Sequence, residues 1–193
     1  MTGAVVVIDM QNGFCHPYGS AAKVAGLSMR NMDEVIIEHA RLLAAARAAG
    51  VPIVFTRYVW RRNRLDADPA MAAVFGPEAF TEGTWDAAVI SELEITERDT
   101  VVDKRRFDAF LHTDLDLVLR ALGTRRLLLT GVATNGCVET TARTAVQLGY
   151  KVSVAEDATS APNDQHKAGL ASIARGFGQV EPWRTALDRC LKG

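Results

Sequence analysis

The stretch "RLLLTGVATNGCVETTAR" at residues 126–143 decides the fold, because an apolar run reaches Gly131 and a helix-like run begins beyond it. The first run is short, continuous and apolar, which is typical of a strand buried on both faces in a parallel sheet. The second has apolar residues at helical spacing and predicts a helix over 135–148. Cys137 lies at the junction, in a first helical turn whose N–H groups are unpaired and partly positive.

Strands and helices alternate along the rest of the chain. Strands are predicted at residues 4–9, 51–58, 100–104, 126–132 and 150–157, with a sixth candidate at 179–181. Helices are predicted from Asn31 to Gly50 and at 85–93, 113–123, 135–148 and 163–178. This alternation favours an α/β fold in which helices cover both faces of a parallel sheet wound in two directions. Ligands of such sheets bind beyond the carboxyl ends of the strands.

Local signals refine the element boundaries. Asn31 followed by Glu34 resembles a capping box at the start of the first long helix. Thr113 is predicted to cap the helix at 113–123. Residues 59–83 lack strong periodicity and are predicted to form a long surface loop or short helices, and such loops are usually functional.

Composition limits the class of protein. The 193 residues suit one domain spanning 1–193. With 22 Lys and Arg against 23 Asp and Glu, the net charge of −1 gives no electrostatic reason to expect nucleic acid or an anionic membrane as partner. We expect no leader, and the sequence contains no apolar run of about 20 residues. The three cysteines contain no C-x-x-C pair. We therefore expect a soluble, cytoplasmic protein with reduced thiols.

Three reactive side chains follow predicted strands: Asp9, Lys104 and Cys137. Helix N-termini and neighbouring cations lower the pKa of a thiol, so Lys104 could favour the Cys137 thiolate. Asp9 could accept the thiol proton and return it to a leaving amine. The residues alone also permit plainer interpretations: a small inert cysteine, a loop-fixing carboxylate and a solvated lysine.

Three blocks of sequence carry a family resemblance. "VVVIDMQNGFC" (5–15), "VVDKRRFDAF" (101–110) and "LTGVATNGCVETTAR" (129–143) resemble the motif blocks of the isochorismatase-like cysteine hydrolases. That superfamily includes N-carbamoylsarcosine amidase, nicotinamidase, biuret hydrolase and ureidoacrylate amidohydrolase. The resemblance implies a three-layer αβα sandwich with a six-stranded, mainly parallel, doubly wound sheet, assembled as a homodimer or homotetramer.

The resemblance also implies roles for individual residues. Asp9, Lys104 and Cys137 match the catalytic triad of the family. The Val132–Ala133 peptide matches a bond that is cis in the family, and the N–H groups of Ala133 and Cys137 match its oxyanion hole. The implied reaction is attack by a Cys137 thiolate, kept ionised by Lys104, with loss of ammonia and formation of a thioester.

Two features narrow the choice within the superfamily. Nicotinamidases carry an Asp-x-His metal motif with a further His, whereas "FTRYVWRRNRLDADP" (55–69) contains no histidine. We therefore expect no metal and no cofactor. Cys137 favours C–N hydrolysis over the vinyl-ether cleavage of true isochorismatases, which often lack the cysteine. A vinyl-ether hydrolase, a non-catalytic ligand-binding relative and a thiol redox protein remain alternatives.

The expected partner is a small amide or ureido substrate. Candidate contacts share a place near the predicted active edge of the sheet. They are Gln11, Phe14, Trp60, Trp85, Phe107, Thr134 and Asn135. Arg57, Arg61 and Arg106 are candidates for binding a substrate carboxylate, with solvation as the plainer interpretation.

Overall fold

The computed structural model describes residues 2–192, which form a six-stranded sheet in the order β3-β2-β1-β4-β5-β6. All neighbouring strands pair in parallel. The strands are β1 (Thr2–Ile8), β2 (Ile53–Tyr58), β3 (Thr100–Lys104), β4 (Thr124–Val132), β5 (Lys151–Ser160) and β6 (Gln179–Glu181). The predicted parallel, doubly wound α/β fold is therefore confirmed.

Helices lie between and beyond the strands. They are α1 (Asn12–Cys15), α2 (Met32–Ala48), α3 (Pro69–Phe75), α4 (Leu115–Ala121), α5 (Glu139–Gln147), α6 (Gln165–Ala174) and α7 (Trp183–Leu191). A single π-helical turn, Thr134–Val138, leads directly into α5. No helix among residues 2–192 has the length and apolarity needed to cross a membrane.

The two faces of the sheet carry separate cores, because successive side chains of a strand point to opposite sides. Val5 and Val7 of β1 face the core that includes the apolar sides of α2 and α7. Val6 and Ile8 face the core that includes residues of α4, α5 and α6. Both faces are buried, which explains why these strands read as continuous apolar runs rather than as alternating ones.

The strand order reverses between β1 and β4, and Gly131 makes the close approach there possible. From β1 the chain builds outward through β2 and β3, then returns to the other side of β1 with β4. Gly131 pairs with Ile8 at φ 103°. A Cβ at this position would lie 1.9 Å from the Ile8 carbonyl oxygen. The switch point thus requires glycine, and it opens the crevice in which such folds bind ligands.

Two predictions about local elements were wrong. Residues 85–93 form turns rather than a helix, and the Asp86 carboxylate accepts bonds from the N–H groups of Ser20 and Phe80, which tie this segment to neighbouring loops. Asn31 adopts a left-handed conformation and makes no capping bond, so no capping box forms. The predicted helix at 135–148 is present, as the π turn Thr134–Val138 followed by α5.

Helices α1 and α7 were not predicted. Trp183, Ala186, Leu187 and Cys190 of α7 have the i, i+3, i+4, i+7 spacing that indicates an amphipathic helix, so the signal for α7 was present. Thr113 accepts a bond from the Leu115 N–H at 3.2 Å, but the N-cap of α4 is Asp114 rather than the predicted Thr113.

A buried histidine links α2 to β4. His39 Nδ1 lies 2.8 Å from the Val35 carbonyl oxygen, and Nε2 lies 2.9 Å from Thr130 Oγ1. Burial lowers the pKa of His39 from 6.5 to about 4, while the bond to Val35 acts in the opposite direction. His39 is therefore neutral in the folded protein at neutral pH.

We expect this histidine to make the fold sensitive to acid. Between pH 6.5 and about 4 the unfolded chain binds a proton that folded His39 does not, so stability falls as pH falls, in total by about 3 kcal/mol. Urea unfolding measured across this range tests the expectation. The loss of stability at low pH should shrink in His39→Gln and persist in the control variant His112→Asn. His112 is exposed and has a left-handed backbone conformation, which asparagine tolerates. An equal loss in both variants would contradict this role of His39.

Candidate active site

A buried ion pair lies beside the switch point, where β1 and β3 end. Lys104 Nζ lies 2.6 Å from Asp9 Oδ2, and both side chains are fully buried. Asp9 directly follows β1, and Lys104 is the last residue of β3. The long lysine side chain spans the width of β2, which lies between β1 and β3 in the sheet.

Neighbouring groups fix both charges in position. Thr56 of β2 donates its hydroxyl to Asp9 Oδ1 at 2.8 Å. Lys104 Nζ donates to the carbonyl oxygens of Arg106 at 2.9 Å and Phe107 at 3.1 Å. It also lies 4.8 Å from the centre of the Tyr58 ring. Burial opposes the charge on Lys104, but Asp9 and Cys137 outweigh this effect and raise its pKa.

Cys137 reaches the ion pair from the π turn after β4. Its side chain is buried and interacts with both Asp9 and Lys104. Burial raises the pKa of the Cys137 thiol to about 12; Lys104 opposes this effect and Asp9 adds to it. Lys104 thus favours the thiolate, while burial and Asp9 favour the neutral thiol. A thiol whose pKa is raised becomes nucleophilic by giving its proton to an adjacent base.

The backbone beside Cys137 has an unusual geometry. The Val132–Ala133 peptide bond is cis. The Ala133 carbonyl oxygen accepts bonds from the N–H groups of Gly136 at 2.9 Å and Val138 at 3.2 Å. These bonds wrap the π turn around Ala133, so that Ala133, Gly136 and Cys137 all line one cavity.

That cavity has a volume of about 280 Å³ and opens onto Cys137. Its wall is mainly apolar, and several elements contribute to it. The residues are Phe14, Ala21, Leu27, Met29, Tyr58, Met71, Val74, Phe75, Phe107, Ala133, Asn135, Gly136, Cys137, Pro162 and Gln165. The volume is just below the usual range for small-molecule sites, roughly 300–1,000 Å³.

Three of the seven predicted substrate contacts line this cavity: Phe14, Phe107 and Asn135. Phe14 stacks on Phe80 with ring centres 4.2 Å apart. Asn135 Nδ2 donates to Gln165 Oε1 at 2.7 Å. Phe107 is 43% exposed, so its ring is placed at the mouth of the cavity rather than in the core.

Gln11 and Thr134 lie close in sequence to the site but outside the cavity wall. The Gln11 amide is fully buried and bonds the main chain, donating to the carbonyl oxygens of Tyr58 and Ala87 and accepting from the Tyr58 N–H. Thr134 Oγ1 lies 2.8 Å from His166 Nδ1. Both side chains hold loops of the site together, and neither is free to contact substrate.

Trp60 and Trp85 are also outside the cavity wall. Trp60 is fully buried, packing edge-on against Tyr58 and Phe80 with the Arg64 guanidinium 4.5 Å from its ring centre. Trp85 is 52% exposed and meets the His16 ring edge-on. The structure therefore does not bring either tryptophan to Cys137.

The α3 segment contributes wall residues that sequence reasoning missed: Met71, Val74 and Phe75. A signal for α3 existed. Asp68 accepts bonds from the N–H groups of Ala70 and Met71, and Pro69 occupies the first helical position. Asp followed by Pro is a typical helix start, and residues 59–83 do include a short helix with a place in the site.

The donor groups needed for a metal site are not assembled here. Within residues 2–192, no group of three or more His, Cys, Asp and Glu side chains is arranged to hold a metal ion. The carboxylate nearest to Cys137 is neutralised by a lysine rather than by further acidic or histidine side chains.

The chain resembles known proteins over nearly its whole length. Residues 3–185 match the sequence model of the isochorismatase domain. A ureidoacrylate amidohydrolase RutB from Methylobacterium radiotolerans is 36% identical, over 93% of this chain and 76% of the relative. A crystal structure of an isochorismatase family protein from Desulfovibrio vulgaris superposes with a TM-score of 0.86 at 32% identity, covering 100% of this chain and 99% of that one. The N-carbamoylsarcosine amidase of Thermoplasma acidophilum gives a TM-score of 0.76 at 26% identity, covering 95% and 97%.

Proposed function

The chain belongs to the isochorismatase family, and from this premise we propose that it is a metal-independent cysteine amidohydrolase. It cleaves the C–N bond of a small linear amide or of an N-carbamoyl or ureido compound and releases ammonia. The sequence relatives named ureidoacrylate amidohydrolase and the structural neighbour named N-carbamoylsarcosine amidase support this reaction class.

One observation carries the proposal: a thiol, a carboxylate and an ammonium group meet at the end of an apolar cavity. Cys137 lines the cavity and interacts with both members of the Asp9–Lys104 pair. A nucleophile within reach of a base, with that base oriented by a third group, is the arrangement that covalent catalysis requires.

The first half of the reaction forms a thioester. The Cys137 sulfur attacks the amide carbon while its proton moves to the Asp9 carboxylate. The N–H groups of Ala133 and Cys137 then bind the oxyanion of the tetrahedral intermediate. Asp9 returns the proton to the departing nitrogen, the C–N bond breaks, and ammonia leaves. Lys104 stabilises the negative charge that is passed between sulfur and carboxylate.

The second half hydrolyses the thioester. Asp9 accepts a proton from a water molecule that attacks the thioester carbon. The resulting intermediate collapses with loss of the Cys137 sulfur, which takes the proton back. The products are a carboxylic acid from an amide, or a carbamic acid from a ureido compound. Each proton that leaves the nucleophile is thus carried by a single buried carboxylate.

An ammonia-release screen tests the proposal. It should include primary amides, ureido compounds and N-carbamoyl amines, together with a vinyl ether as the competing chemistry. We expect ammonia from at least one of the nitrogen compounds, and a mass increase on Cys137 equal to the acyl or carbamoyl group after rapid acid quenching. Turnover of the vinyl ether alone, or ammonia release without any Cys137 adduct under rapid quenching, would overturn the proposed reaction.

Chelation should leave the activity unchanged. The proposed chemistry uses only sulfur, carboxylate and ammonium, and no cluster of metal-ligating side chains occurs within residues 2–192. Prolonged treatment with EDTA and with dipicolinate, followed by a kcat measurement, tests this expectation. Loss of activity that zinc restores would contradict it.

A further inference from the structure

The loop that follows β3, residues 105–110, surrounds the Lys104 ammonium. Lys104 Nζ donates to the carbonyl oxygens of Arg106 at 2.9 Å and Phe107 at 3.1 Å. It also lies 2.6 Å from Asp9 Oδ2. The loop contains neither helix nor strand, so no regular structure holds it in place. The position of its main chain therefore decides where the ammonium lies.

Helix α5 holds the second half of this loop through two threonines. The Ala109 N–H donates to Thr141 Oγ1 at 3.0 Å, and Thr141 is fully buried. Thr144 Oγ1 donates to Asp108 Oδ2 at 2.6 Å, while Asp108 Oδ1 accepts from the Phe110 N–H at 2.9 Å. We call the bonds of Thr141 to Ala109 and of Thr144 to Asp108 the loop clamp.

The same helix continues the turn that carries the thiol. The π turn that contains Cys137 leads directly into α5, and Thr141 lies about one helical turn beyond Cys137. Helix α5 is itself anchored, because Ala145 is fully buried and Glu139 accepts a bond from Ser172 of α6 at 2.6 Å. One anchored helix thus holds the thiol directly and the ammonium through the loop clamp.

We propose that Thr141 and Thr144 are positioning residues of the reaction. Through the loop clamp they set the distance between the Lys104 ammonium and the Cys137 sulfur. This inference rests on the proposed function, in which Lys104 stabilises the charge passed between sulfur and carboxylate. The attraction between two charges falls with distance and is stronger in a buried site than in water. A displacement of about 1 Å can lower a rate by about 100-fold.

Other bonds hold the loop main chain less firmly. Arg105 Nε donates to Asp66 Oδ2 at 2.6 Å, and Arg106 Nη1 donates to the Asp66 carbonyl oxygen at 2.9 Å. Arg61, on a neighbouring loop, pairs with the same carboxylate at 2.7 Å. These bonds end on long arginine side chains, which leave the main chain free to shift. Thr113 Oγ1 donates to a carbonyl oxygen only four residues earlier, so that bond moves with the segment.

Replacement of the buried hydroxyl tests the proposal. Thr141→Val keeps the shape of the side chain but removes the acceptor for the Ala109 N–H, and we expect kcat to fall roughly 10- to 100-fold. Thr141→Ser keeps the hydroxyl and should retain most of kcat. Thr124→Val is the matched control and should be fully active, because Thr124 is buried in β4 and its hydroxyl has no hydrogen-bond partner among residues 2–192. Equal losses in Thr141→Ser and Thr141→Val would show a packing role and overturn the proposal.

Alkylation of Cys137 reports the position of the ammonium without any turnover. Lys104 lowers the pKa of this thiol, so a more distant ammonium leaves a smaller fraction of thiolate. At fixed pH we expect iodoacetamide to modify the Cys137 peptide about 10-fold more slowly in Thr141→Val than in the wild type or Thr141→Ser. Lower stability alone would not slow this reaction in the folded protein. An unchanged alkylation rate would overturn the proposal.

The bond between Thr144 and Asp108 provides a second test. Both side chains are only half-buried, so we expect their variants to fold. Thr144→Val breaks the bond from the helix and Asp108→Ala breaks it from the loop, and each should lower kcat and the alkylation rate. The double variant should lose no more than Asp108→Ala alone, because both changes act through one bond. Losses that multiply in the double variant would show independent effects and contradict the loop clamp.

The two readouts separate this inference from the proposed function. If the wild-type protein releases no ammonia but alkylation is slower in Thr141→Val, the amidohydrolase proposal fails and the positioning role stands. If ammonia is released and Thr141→Val changes neither kcat nor the alkylation rate, the positioning role fails and the amidohydrolase proposal stands.

Discussion

The Cys137→Ala variant is expected to lose ammonia release by roughly 10⁴-fold or more in kcat while keeping its fold. The sulfur is the only group in the cavity wall of the described residues that can form the covalent intermediate, so its loss removes the whole two-step route. Initial rates of ammonia release at saturating substrate give the loss. Circular dichroism and thermal unfolding establish that the variant is folded.

The other cysteines provide the matched control. Cys190 lies in α7 and packs beneath the start of β1, where a Cβ on Gly3 would approach its side chain to 2.5 Å; this is the opposite end of the sheet from the site. Cys190→Ala removes the same sulfur atom and should retain full activity. If Cys137→Ala turns over at a rate comparable to Cys190→Ala, the thioester mechanism is excluded.

The positions of the three reactive groups could be predicted because strand ends are readable from sequence. Asp9, Lys104 and Cys137 each follow a continuous apolar run, and the carboxyl ends of parallel strands share one edge of a sheet. Sequence spacing does not show how far apart these ends lie along that edge. The family motif blocks supplied this information, and the 2.6 Å contact between Asp9 and Lys104 agrees with it.

The cavity wall was predicted far less well, for a physical reason. An aromatic residue in a loop is equally suited to core and to pocket, and only the tertiary structure decides. Trp60 lies in the core, where its main chain pairs with Thr81. Phe107 lies at the mouth, where its carbonyl oxygen accepts a bond from Lys104. The sequence position of Gln11 suggested a substrate contact. In the structure its side-chain amide forms three hydrogen bonds with main-chain groups instead.

The ionisation state of the thiol was likewise not readable from the sequence. A cation near a helix N-terminus suggests a thiolate. Whether the pKa of the thiol is raised or lowered depends, however, on burial and on the carboxylate beside the sulfur. Here burial raises the pKa of Cys137, and Asp9 adds to that effect despite Lys104. Attack by a thiol with a raised pKa requires an adjacent base, which is the role proposed for Asp9.

Breaking the buried ion pair should produce the largest loss of stability among single substitutions at the site. Lys104→Met leaves Asp9 fully buried with the Thr56 hydroxyl and the Cys137 thiol as its remaining side-chain partners, which should cost about 3–5 kcal/mol of unfolding free energy. Because Asp9 then lacks the cation that stabilises its charge, kcat should also fall by about 10²–10⁴-fold. Urea unfolding and steady-state rates measure the two effects separately.

A double variant separates the effect of the Lys104 charge from the effect of packing by the Lys104 side chain. Asp9→Asn combined with Lys104→Met removes both charges, so it should recover most of the stability lost in Lys104→Met but none of the activity. Arg57→Gln is the control, since it breaks an ion pair with Asp103 across β2 and β3, a pair that is about one-third exposed and should contribute less than about 1 kcal/mol. If the double variant is as unstable as the two single changes added together, the coupling between Asp9 and Lys104 is absent. Lys104 would then act through the packing of its side chain alone, and the charge-sharing role assigned to it in the reaction would be wrong.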